Sequence, residues 1–218
     1  MNRALAIYHS SIGKKAIMAV TGLIGIGFVI GHMVGNLQVF QGPEKLNAYA
    51  AMLRAYPALL YFARAVLLGA VLLHIIAAYQ LSRMSWQSRS QSYERWKPVA
   101  SDYASRTMRW SGPILLLFIV YHLLDFTFGT VNPDFVEGDV FHNVISSFTC
   151  WYVTAFYIVS MLALGLHMYH GIWSMFQSLG LNNPKYNSYW KNLAVVITGI
   201  VVVGNIVMPL AVFLGFVR

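Results

Sequence analysis

Five histidines interrupt the apolar blocks of this chain: His32, His74, His122, His167 and His170. Neutral imidazole is a good ligand for iron and other transition metals, and it also carries protons near neutral pH. A polar side chain inside a long apolar segment needs a partner, and is a functional candidate by default. His167 and His170 are three residues apart, so on a helix they point in roughly the same direction. Asp125 follows His122 by about one helical turn and adds a carboxylate. His9 and His142 lie in polar flanks, where solvated or interfacial roles suit them.

The elements that must position these groups are long. The chain has 218 residues, 58% hydrophobic and 10% charged, whereas soluble domains carry about 25% charge. The apolar residues gather into five blocks, at about 15–39, 57–82, 107–128, 148–177 and 192–216. Roughly twenty helical residues cross a bilayer core, so each block is long enough to span. The expected fold is all-α, a polytopic membrane protein with five transmembrane helices forming one bundle. The blocks are too long for barrel strands and lack alternation. The first block has no small-residue cleavage site and reads as a permanent span rather than a signal peptide.

Net charge is +8. The basic residues flank the spans, so lipid headgroups and topology explain them better than nucleic acid. With the N-terminus cytoplasmic, eleven of the 15 Lys and Arg fall inside, and Lys45, Arg54, Arg64 and Arg218 fall outside. The acidic loop 129–146 then lies outside. The single cysteine, Cys150, excludes an intrachain disulfide and any multi-cysteine cluster, and reads as a small buried hydrophobe. Gly27, Gly31 and Gly35 recur every fourth residue, a groove for another helix or a flat cofactor.

Alternating span directions sort the histidines by depth. His32 and His122 come late in outward-running spans, and His74, His167 and His170 late in inward-running ones. His74 precedes Ser82 by eight residues and His170 precedes Ser178 by eight, each about 12 Å from the inner end. His32 lies about 27 Å from that end. Two levels, each with imidazoles from different helices, match two bis-histidine b-type haems. Matched depth selects His170 as the inner ligand with His74, with His167 as an alternative ligand or a haem-lining residue. No Cys-x-x-Cys-His motif supports c-type attachment, and zinc lacks further ligands. Scattered structural histidines and a proton or transport path are the competing readings. No inverted repeat supports transport.

The chain resembles the single-chain cytochrome b membrane anchor of succinate:quinone oxidoreductase and fumarate reductase, of the five-helix, two-haem class. The resemblance rests on SSIGKKAIMAVTG at 10–22, GHMVGN at 31–36, His74, His122, and HMYHGIWSMFQSLG at 167–180. It implies His32 and His122 as ligands of a distal haem and His74 and His170 of a proximal one. It further implies an iron–sulfur subunit and a flavoprotein with covalent FAD on the cytoplasmic face, in which succinate is oxidised. Electrons would then pass through this chain to quinone, with menaquinone expected, in a prokaryotic cytoplasmic membrane. Asp125 is a candidate for proton exchange with quinone. Ser10, Ser11, Lys14, Arg106 and Arg109 on the inner side, and Arg64 on the outer, are candidate propionate partners. A dihaem cytochrome of another respiratory oxidoreductase, and a haem-free anchor or transporter, are the alternatives. The complex could also form a higher-order oligomer.

Overall fold

The computed structural model describes residues 8–88 and 101–218. Arg3, Arg89, Arg95 and Lys97, four of the eleven basic residues expected on the inner side, lie outside the described residues. Five helices are long and apolar enough to cross a membrane, and no strand occurs among the described residues. They are α1 (Ser11–Asn36), α3 (Pro57–Gln87), α4 (Tyr103–Phe126), α6 (Trp151–Ser178) and α7 (Asn187–Phe213). Two short helices, α2 (Pro43–Arg54) and α5 (Val140–Thr149), and a 3-10 helix at Leu37–Gln41 accompany them.

Local chemistry marks the starts. Ser10 Oγ accepts the Gly13 N–H at 3.0 Å and caps α1, and Asp102 accepts the Ser105 N–H at 2.7 Å and caps α4. Pro43 and Pro57 occupy the first turns of α2 and α3, where a missing N–H costs little. α5 falls largely in the segment expected to be a plain acidic loop. Its Phe141, Val144 and Phe148, at helical spacing, bury one face. Cys150 is extended (φ −77°, ψ 114°) and separates α5 from α6, so the fourth span starts at Trp151 rather than at 148. α3 runs on to Gln87, past the expected boundary at Ser82.

Packing places α1 between α3 and α6, and α6 between α1, α4 and α7. No extensive packing joins α1 to α4, or α3 to α6, among the described residues. The four helices thus stand in the order α3, α1, α6, α4 around a common centre, with α7 behind α6. At one end, α2 and α5 cap the bundle over a core of Val39, Phe148, Tyr157 and Val212. Asn47 clamps these two helices: its Nδ2 donates to Asp139 at 2.9 Å and its Oδ1 accepts the Phe141 N–H at 3.0 Å. Toward the other end, Met168, Ile172, Ala194 and Val201 form a second core. Leu59, Phe62, Leu68, Leu117 and Val203 are exposed around the periphery, as a lipid-facing surface requires.

Candidate functional site

The histidines meet in pairs across the centre of the bundle. The rings of His32 on α1 and His122 on α4 are 5.6 Å apart and perpendicular. Those of His74 on α3 and His167 on α6 are 6.1 Å apart and tilted by 52°. Each pair bridges two helices whose backbones do not pack extensively together. Imidazole–metal bonds of about 2.0 Å would place the centres of two opposed rings roughly 6 Å apart, a span comparable with both separations. Groups of three or more candidate metal ligands are absent among the described residues, which leaves these as two-ligand sites. That suits a haem iron, with its two axial positions, better than zinc.

The hydroxyl bonds favour the Nδ1–H tautomer in three of the rings. Thr21 Oγ1 donates to the Ile17 carbonyl at 2.7 Å, so its oxygen accepts from His74 Nδ1–H at 3.0 Å. Ser111 Oγ donates to the Met108 carbonyl at 3.3 Å and accepts from His167 Nδ1–H at 3.2 Å. Tyr157 donates to Asp125 Oδ2 at 2.9 Å and accepts from His122 Nδ1–H at 3.3 Å. With that tautomer, Nε2 of each imidazole keeps its lone pair. Metal-binding histidines are ordinarily oriented by such a bond from the other nitrogen. His32 is oriented by stacking on Phe28, with centroids 5.2 Å apart.

His170 is placed differently from the expectation that pairs it with His74. It packs edge-on against Trp173, with centroids 6.3 Å apart, and its Nδ1 is buried without a hydrogen-bond partner. Positions three apart differ by about 60° around a helix, enough to separate the two imidazoles. The expected depth match took Ser82 as the inner end of the second span, whereas α3 runs to Gln87. Measured from the true helix ends, His74 lies 13 residues from Gln87, His167 11 from Ser178 and His170 only eight.

Asp125 is 1% exposed, and both its oxygens are bonded. Ser147 Oγ donates to Oδ1 at 2.5 Å and Tyr157 to Oδ2. Among the candidate anion partners, Lys14 is buried and donates to the Tyr8 carbonyl at 2.9 Å. Lys14 lines a small crevice with Ile17, Leu73, Ala77 and Gln80, beside the His74 segment. Ser11, Arg64, Arg106 and Arg109 are exposed. The Arg64 guanidinium lies 5.7 Å from the Tyr61 ring centre and that of Arg109 5.3 Å from Trp86. Asn205 bonds the Val201 carbonyl of its own helix, and His142 donates to the Asp134 carbonyl. Cys150 is half-buried beside the α2/α5 core.

Sequence reasoning did not single out Thr21, Ser111, Ser147 or Tyr157. Hydroxyls in apolar helices commonly bond the carbonyl one turn back, as Thr21 does, so they carry little signal of a second partner.

No curated protein and no solved structure matches the chain. The family described as succinate dehydrogenase/fumarate reductase transmembrane subunit matches residues 83–208, which include His122, Asp125, His167 and His170. That match covers more than half of the chain, and with five apolar helices around a shared centre, it establishes that this protein belongs to the family of membrane subunits that anchor succinate dehydrogenase and fumarate reductase complexes.

Proposed function

We propose that this subunit is a dihaem electron carrier between an iron–sulfur partner and membrane quinone. The observation that carries the reading is the pair of cross-bundle imidazole contacts at 5.6 and 6.1 Å. His32 and His122 would hold the outer group, and His74 and His167 the inner one. His167 replaces His170 in this assignment because its ring meets that of His74 and its Nδ1 is held by Ser111. Bound b-type haem would supply one-electron transfer at both levels.

The protein's own part is orientation and exclusion of water. Thr21, Ser111 and Tyr157 fix the ring tautomers, and Phe118, Phe126 and Phe28 surround the outer pair. Lys14, buried near the inner level, is the candidate best placed to meet a propionate. Charge bias supports a cytoplasmic N-terminus, with the iron–sulfur subunit and FAD-bearing flavoprotein on that face. Succinate chemistry would reside in the flavoprotein, and the few charges here suit a hydrophobic substrate such as menaquinone. A prokaryotic cytoplasmic membrane is the setting this implies.

Gentle purification with the native partners, followed by haem quantitation and identification of the polypeptides, tests the reading. Two b-type haems per chain, together with two soluble subunits, are expected. A complex that keeps its partners yet contains no haem overturns it.

A further inference from the structure

At the outer pair, a polar chain runs deeper into the protein than ligand support alone demands. Asn132 Oδ1 accepts the Asp134 N–H at 3.2 Å, which fixes the amide so that Nδ2 donates to Ser147 Oγ at 3.1 Å. Ser147 therefore spends its own proton on Asp125 Oδ1 at 2.5 Å. Tyr157 spends its proton on Asp125 Oδ2 at 2.9 Å and accepts from His122 Nδ1 at 3.3 Å. The four side-chain bonds form two branches that converge on one carboxylate, with both oxygens accepting. Asn132, Asp125 and Ser147 are buried, and Tyr157 is 5% exposed, so water does not dilute the arrangement. The inner pair is built otherwise: His74 and His167 lean on the neutral hydroxyls of Thr21 and Ser111, whose protons end on backbone carbonyls.

We infer that Asp125 is a positioning residue for His122, and that its carboxylate, acting through Tyr157, makes His122 the more strongly donating imidazole and lowers the reduction potential of the outer site. The inference rests on the haem reading above. Its physical basis is that a hydrogen bond from the remote nitrogen to an anion-backed acceptor raises the basicity of the coordinating one. It also gives Asp125 a role without direct access to quinone, since both its oxygens are already committed.

The test is redox titration of the purified complex, following its two b-type absorbance signals separately. Asp125→Asn and Tyr157→Phe are each expected to raise one midpoint and leave the other unmoved. The double variant should rise no further than Tyr157→Phe alone. Ser147→Ala, which removes a donor from the carboxylate, should lower the same midpoint. Opposite signs distinguish tuning from distortion, which has no reason to reverse between the variants. Should the first two variants lose a haem, the sign of Ser147→Ala decides. An upward or absent shift in Ser147→Ala, or unmoved midpoints in fully loaded Asp125→Asn, overturns the inference while leaving the two-haem reading intact. A haem-free wild-type complex overturns both.

Discussion

The His167 ring stands 6.1 Å from that of His74, and Ser111 holds its Nδ1, while His170 three residues on has a buried Nδ1 with no partner. One turn of α6 thus carries two imidazoles with different environments. Their spacing in the chain suggests near-equivalence; the packing of α6 against α1 and α4 removes it.

The ligand assignment predicts unequal outcomes for the two neighbours. His167→Met should abolish or severely alter one haem signal, and His170→Ala should retain both. Difference spectra and haem-to-protein ratios of the purified complexes read this directly. Retention of two haems in His167→Met, with one lost in His170→Ala, would return the inner position to His170.

Thr21 offers a milder probe of the same level. Thr21→Val keeps the shape but removes the acceptor for His74 Nδ1–H, and loss of such an outer partner typically weakens metal binding about 10–100-fold. Thr21→Ser keeps the hydroxyl and should retain the haem. Occupancy after stringent washing compares the two.

Gly165 tests how tightly α6 is located. A Cβ there would come within 2.8 Å of Val202 Cγ2 on α7, a short side chain with little room to yield. Gly165→Ala should cost about 1–3 kcal/mol through overpacking. Because His167 follows two residues later, loss of inner haem should accompany the drop in thermal midpoint. Unchanged melting would show that α6 and α7 separate more easily than their contact suggests.

Asp139 supplies a pH dependence outside the spans. The His142 N–H and then the Asn47 side chain hold its carboxyl below the usual carboxylate range, against a small opposing effect of burial. A depressed carboxylate stabilises the fold above its unfolded value of about 3.9, and that contribution fades as pH falls through the lower folded value. Amide exchange at residues 140–143 should therefore be insensitive to this group at neutral pH and rise only below about pH 4, after correction for intrinsic rates. Asp139→Ala should weaken α5 by about 1 kcal/mol through loss of its cap. Asp139→Asn should retain most of the capping and lose the acid dependence.

The membrane architecture was legible in the sequence because apolar length and composition are one-dimensional quantities. Five blocks became five long helices, with shifts where capping by Asp102, or the extended backbone at Cys150, set the boundary. The ring contacts of His32 with His122, and of His74 with an imidazole of the fourth span, follow the grouping expected from helical rise and alternating span direction. α5 was hidden because its apolar face is short and sits in an acidic segment.

What the sequence by itself supplied was an expected depth for each imidazole, counted along a helix of fixed rise. Which ring it faces depended on helix rotation and on neighbours distant in the chain. Only the packed bundle could place His167 rather than His170 against His74, join Ser111 to His167, and turn Asp125 toward Tyr157 and Ser147. Rise along a helix is fixed by the backbone, but rotation about its axis is fixed by side-chain packing between helices, and no single stretch of sequence contains that information.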